Sequence, residues 1–484
     1  MLRKYDQFAA TTLSVRGITR VVVAFGLALQ FIFSLVALGY GAPPWFAIYA
    51  VVNCALGLLA LSFRIRRDMP AMLRDFLLVG FVWGYQIKFY LAYNAGSWEN
   101  VPLPLFERHN IHLEGADALV QSMTFAFATI CAALWLVGKL EAPSSQISVR
   151  DKAGAAGSAV LNYAILLAIA AASVGTTILT VEYGIAVGGN SRNLVELPFR
   201  LGGIIYWTRA LLIPSALAIL YYEFSCTNLR RYKLYISMIL VGHAVGMTWS
   251  NASRGALVFT LLPTAFIAIS RGVLKVRTIL ISMSFLIFVG SIHPVLSALR
   301  TLRMSHEREL ISATKNALEA SDYTQGSPGG GIVTEALAVV AGRYVGAEGA
   351  LHAFSKPINF DIAGNYDAYF SRGLLEFSWA FTAEFAGYGY AENYTGGAPS
   401  FVGASYMLAG FWGPPIFSFL FVLFFCGISL VNEKLGLIPP RLADPLIVMI
   451  AFSEYGEGMV INLPERLLLL SIGLTVLCRI QRIV

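Results

Sequence analysis

Arg192 and Arg200 lie in the stretch SRNLVELPFRLGG, Arg254 opens RGALVF, and Arg343 and Arg372 follow between positions 299 and 401. Arg300, Arg303 and Arg308 add to a bias of arginine over lysine in these segments. A guanidinium is always charged and grips two phosphate oxygens with parallel N–H donors, whereas an ammonium is a point charge. Singly, such side chains can snorkel to lipid phosphates. Gathered around one hollow, they form an anion site of the kind a diphosphate requires.

Other chemistries leave no trace. The sequence contains no Walker A motif, no GxGxxG following a strand and no GxSxG elbow. HEREL at 306–310 begins like a zinc-protease helix but has Leu310 where the second histidine must stand, so it reads as a surface helix and no metal site is expected. No Asp-x-Asp pair lies in the loops, which argues against a metal-dependent sugar-nucleotide transferase. The N-x-S/T triplets at Asn251 and Asn393 carry no weight in a chain of 484 residues. Without an internal repeat, an inverted-repeat transporter has no positive support.

The elements that must position these arginines are membrane helices. Hydrophobic residues make up 57% of the chain and charged ones 13%, and mean hydropathy is +0.67. A soluble domain carries about a quarter charged residues. The expected fold is therefore an all-α polytopic integral membrane protein with about 12 transmembrane helices. Apolar runs lie at roughly 18–40, 45–63, 74–93, 116–137, 158–181, 203–222, 232–250, 255–270, 276–298, 402–430, 443–461 and 465–480, the last two separated by Pro464. Residues 1–298 then hold about nine spans, 299–401 a large loop and 402–484 about three spans. The first run is too long for a signal-peptide core. The five cysteines fall in apolar runs or at their ends, so no disulfide framework is expected.

Alternate connections are basic: Arg3, Lys4, Arg16 and Arg20; Arg64, Arg66, Arg67 and Arg74; Lys139, Arg150 and Lys152; Arg230, Arg231 and Lys233; Arg271, Lys275 and Arg277; Lys434 and Arg441; Arg479 and Arg482. The positive-inside rule assigns this set, with both termini, to the cytoplasm. The net charge of +7 follows from that asymmetry and calls for no nucleic acid. SRNLVELPFRLGG then lies outside, where arginine has no topological role. Lys88, Arg209, His243 and His293 fall near the outer ends of their spans, at a cost of about 2.5–3.5 kcal/mol each unless they face protein or water.

The loop 299–401 reads as mostly helical and extracytoplasmic. LRTLRMSHERELISATKNALEA is amphipathic, SPGGG breaks it, and GIVTEALAVVAGRYVGAEGALHAFS is apolar enough for a helix lying at the membrane surface. FSRGLLEFSWAFTAEFAGYGYAENY places Leu374, Phe377, Phe381 and Phe385 on one interfacial face. ATP and sugar nucleotides are confined to the cytoplasm. The anion for outward arginines is then a lipid-linked pyrophosphate, which is its own leaving group.

Four stretches carry a family resemblance. Gly203 follows Arg192 after ten residues; NASRGAL occupies 251–257; GRYVGAEG occupies 342–349; TGGAPSFVGASYMLAGFWG leads from the loop into the membrane at 395–413. In these features, and in having large third and fifth outer loops at 182–202 and 299–401, the chain resembles the Wzy-type bacterial polysaccharide polymerases, which join O-antigen or exopolysaccharide repeat units. The fifth loop departs from that family's pattern, since none of its arginines has glycine at the same spacing.

The resemblance implies a metal-independent, cofactor-free glycosyltransferase of the bacterial inner membrane. It moves a growing glycan from undecaprenyl pyrophosphate onto a newly flipped lipid-linked unit, with a chain-length regulator and a flippase as partners beside the membrane lipids. Arg192, Arg200 and Arg254 then hold the donor pyrophosphate and stabilise its developing charge, and Arg343 and Arg372 hold donor or acceptor groups. Glu348, His352 and Glu384 are candidates for the base that takes the sugar hydroxyl proton. Glu348 could equally pair with Arg343, and Glu384 could be a solvated helix position. A lipid-linked glycan ligase shares these features, and a flippase is the reading from a different class.

Overall fold

The computed structural model describes residues 15–65, 67–94, 115–140, 159–183, 201–223, 230–251, 254–270, 346–355, 400–457 and 463–483, and every regular element among them is a helix. Six stretches are long and apolar enough to cross a membrane: Gly17–Gly39, Trp45–Ser62, Ala116–Leu140, Asn162–Glu182, Leu201–Tyr222 and Ser400–Leu435. The apolar run at 276–298 lies outside the described residues.

Helices α1 (Val15–Gly39) and α2 (Trp45–Ser62) form a hairpin. Gly41, at φ +86°, makes its turn, and the Ala42 N–H closes back on the Ala37 carbonyl at 3.0 Å. The run expected at 74–93 is compound: α3 (Asp68–Phe81) passes through a π-helical turn, Val82–Ile87, into α4 (Lys88–Asn94). Helices α5 (Ala116–Leu140) and α6 (Ala159–Glu182) follow. A second π-helical turn, Thr208–Leu212, joins α7 (Leu201–Trp207) to α8 (Ile213–Glu223). Next come α9 (Arg230–Asn251), α10 (Arg254–Ser270), α11 (Ala347–Ser355), α12 (Ser400–Ala409), α13 (Gly413–Leu435), α14 (Pro440–Glu457) and α15 (Leu463–Ile483). Pro464 stands in the first turn of α15, where its missing N–H costs no helical bond.

One cavity registers the helix ends against each other. It is lined by Thr19 of α1, Asp68 of α3, Leu140 of α5, Ser270 of α10, Glu433 of α13 and Arg441 of α14. These ends therefore share one face of the bundle, here called the basic face after the connections they carry. The opposite ends of the same helices make the distal half. Gly436, at φ +60°, ends α13, and the Asn432 amide ties the turn down by bonding both the N–H and the C=O of Ile438, at 3.1 and 2.8 Å.

The distal half contains a departure from the sequence expectation. GIVTEALAVVAGRYVGAEGALHAFS reads as a surface-lying helix, but its described part, α11, is buried within the bundle, with Ala347, Ala350 and Leu351 fully covered. Glycine makes this possible. A Cβ on Gly346 would overlap the Gly84 carbonyl in the first π-helical turn; one on Gly403 of α12 would sit 3.0 Å from the Gly349 carbonyl; one on Gly115, at φ +90°, would overlap the Phe354 carbonyl. Gly84 lies about 15 Å below the end of α4 by helical rise, so α11 climbs from that depth to the start of α5.

Helix α12 doubles back on α13 through the 3-10 turn Gly410–Trp412. Phe401 meets Phe421 edge-to-face at 4.8 Å, and Gly413 abuts the Ser405 carbonyl. The expected run 402–430 is thus a hairpin of a short buried helix and a long one. Phe401 also stacks on Tyr455 of α14 at 4.8 Å, and Phe354 on Tyr406 at 3.7 Å, so α11 and α12 are wedged together.

Candidate functional site: a buried arginine in the distal half

A π-helical turn carries one extra residue and releases backbone groups from the helical ladder, which is why such turns gather at functional positions. The turn at Thr208–Leu212 does this for Arg209. Its carbonyl receives the His243 Nε2 proton at 2.9 Å. With Nε2 donating, Nδ1 of the neutral imidazole accepts the Ser173 hydroxyl proton at 2.7 Å. Ser173, His243 and Arg209 thus tie α6, α9 and the π-helical turn into one buried chain.

The Arg209 side chain is 1% exposed. Its guanidinium donates to the Thr180 and Ser250 hydroxyls, both neutral, and Nε has no hydrogen-bond partner. Among the described residues Arg209 makes no ion pair. Two neutral hydroxyls offset only part of the desolvation penalty of a buried cation.

Beside it stands a second buried arginine. Arg466 of α15 pairs with Glu454 of α14, and its guanidinium lies 3.8 Å over the ring of Trp207, two residues before Arg209. Glu454 is fully buried and Arg466 is 7% exposed. This pair seats α15 against the π-helical turn, where a Cβ on Gly473 would meet the Leu212 side chain at 2.5 Å. Arg466→Met removes one partner of the buried Arg466–Glu454 pair and is expected to lower stability by about 3–5 kcal/mol. Combining it with Glu454→Leu is expected to restore most of that loss in thermal-shift measurements. A double variant no more stable than the single one would show the pair to be incidental.

Arg192, Arg200, Arg343, Arg372 and Glu384 lie outside the described residues. Arg254 is the first residue of α10, and Glu348 and His352 stand one turn apart on α11, all three as helix positions without a described side chain. The frame around them is informative. Thr180 precedes the end of α6, from which the 182–202 connection departs, and Leu201 opens α7 where that connection returns. Ser250 precedes the short link to Arg254. Both chain segments that carry Arg192, Arg200 and Arg254 are therefore anchored around Arg209.

Arg209 and His243 are legible in the sequence as ionisable groups within apolar runs. Glu454 and Arg466 carry the same signal, in IVMIAFSEYGE and LPERLLLL, but nothing in the sequence pairs them. No protein-family model, curated protein or solved structure matches the chain.

Proposed function

We propose that the chain is a polymerase that joins undecaprenyl-pyrophosphate-linked oligosaccharide repeat units at the outer face of the bacterial inner membrane. In this reading the distal half faces outward, both termini are cytoplasmic and the chain crosses the membrane about 12 times. The observation that carries it is Arg209: a cation buried in a membrane helix, held by neutral hydroxyls, at the anchor of loops rich in further arginines. A diphosphate supplies the missing negative charge.

The transfer needs little besides charge and a base. An acceptor sugar hydroxyl attacks the anomeric carbon of the donor glycan. The bond from that carbon to the diphosphate oxygen breaks, and polyprenyl diphosphate leaves with the electron pair. Arg192, Arg200 and Arg254, with Arg343 and Arg372 of the long loop, bind the diphosphate and stabilise its growing charge. The hydroxyl proton passes to Glu348, His352 or Glu384. Two of these positions, 348 and 352, stand one turn apart on α11.

The test uses purified protein and a lipid-linked repeat unit alone. A ladder of products on the carrier lipid is expected from the wild type and none from Arg192→Ala, Arg254→Ala or Arg343→Ala, each still inserted in the membrane. Full-length product from all three variants would reject the site. Reaction only after lipid A core is added would make the chain a ligase, and movement of labelled lipid across vesicles without product would make it a flippase.

A further inference from the structure

We propose that the cavity at the basic face binds one zwitterionic aminophospholipid, a diacyl lipid whose headgroup joins a phosphate to a primary ammonium. The cavity holds about 660 Å³, within the range of small-molecule sites. Its lining is layered. Charged side chains stand at the helix ends, while Phe76 and Leu423 line the deeper wall. Phe76 lies about 12 Å in from Asp68, and Leu423 about 15 Å in from Glu433, by helical rise. At the rim, Leu140 and Leu430 are 72% and 40% exposed, so the cavity opens sideways onto the apolar surface where acyl chains lie. A ligand with a dipolar head and an apolar body fits this profile.

The charges at its mouth are of both signs and partly committed. Asp75 is neutralised from behind by buried Arg74, whose Nε donates to Oδ1 at 2.7 Å. Arg67 and Glu433 face one another at 2.9 Å. Asp444 accepts a hydrogen bond from the neutral Ser429 hydroxyl at 2.7 Å and makes no ion pair among the described residues. Arg441 stands three residues before Asp444 on α14, on the neighbouring position of the same helix face. A cation and an anion so spaced match the two charges of a phosphoethanolamine head, with phosphate toward Arg441 and ammonium toward Asp444. Anionic lipid is disfavoured because Asp68, Glu433 and Asp444 all line the mouth. A quaternary choline head has no N–H to donate to Asp444. No group of three or more His, Cys, Asp or Glu side chains placed to hold a metal ion occurs among the described residues.

The purified protein is reconstituted in nanodiscs of equal parts phosphatidylethanolamine, phosphatidylcholine and phosphatidylglycerol, and retained lipid is read by native mass spectrometry. One phosphatidylethanolamine is expected in about tenfold excess over either competitor, or about 1.4 kcal/mol of preference. Asp444→Asn is expected to bring phosphatidylethanolamine and phosphatidylcholine to parity, and Arg441→Gln to weaken retention of both. If Asp444→Asn does not fold, Ser429→Ala is expected to lower the preference severalfold. Equal retention by the wild type, or preference for phosphatidylglycerol, overturns the proposal. So does a phosphatidylethanolamine preference that survives Asp444→Asn.

Discussion

Arg209→Met is expected to reduce glycan synthesis by about 10²–10³-fold, the loss typical of removing one charge-stabilising donor, while leaving thermal stability unchanged or raised. The two halves of this result have separate causes. Methionine fills much of the same space without a charge, and replacing a buried ion by an apolar group of similar volume is often neutral or stabilising. The groups left behind are not orphaned. Thr180 Oγ1 also bonds the Thr176 carbonyl at 2.8 Å, and Ser250 Oγ the Met247 carbonyl at 3.3 Å. The Arg209 carbonyl, which His243 uses, belongs to the backbone and survives the substitution. Product from the lipid-linked unit and a melting curve on the same preparation decide the matter. Parallel loss of both would make Arg209 a structural residue and remove the observation on which the proposed function rests.

Gly346→Ala is expected to be nearly as damaging by a different route. The new Cβ overlaps the Gly84 carbonyl, a backbone atom that cannot swing aside, so α11 must lift out of its seat. Overpacking of this kind costs about 1–3 kcal/mol, and the displaced helix carries positions 348 and 352. Stability should fall by that amount and synthesis should fall further than stability accounts for. Gly175→Ala is the control: nothing lies within 4 Å of its Cβ, and alanine favours a helix over glycine, so a small gain of up to about 1 kcal/mol is expected. Equal melting temperatures for the two variants would show that α11 is not seated on the π-helical turn.

Helical class and apolar spans can be read from the chain alone because both are local properties. About 20 apolar residues in sequence are a span wherever they occur, and runs such as Ala116–Leu140 and Trp45–Ser62 need no partner to be recognised. Compound helices are harder. Nothing in VWGYQI or TRALL marks a π-helical turn, since both lie inside runs that read as continuous helix. The hairpin of α12 and α13 reads as one run because hydropathy does not register a change of direction.

The candidate site divides along the same line. Arginines in the connections, and Arg209 and His243 within apolar runs, are visible because charge in an apolar setting is conspicuous at the level of a single residue. Which hydroxyls hold Arg209, which acid answers Arg466 and why α11 leaves the surface for the interior depend on contacts between residues remote in the chain. Thr180, Arg209 and Ser250 come from three helices, Glu454 and Arg466 from two more, and Gly84 meets Gly346 across much of the chain. Composition along the chain carries membrane insertion, a nearest-neighbour affair between residues and lipid. The neutral cradle around a buried cation comes into being only when the helices pack.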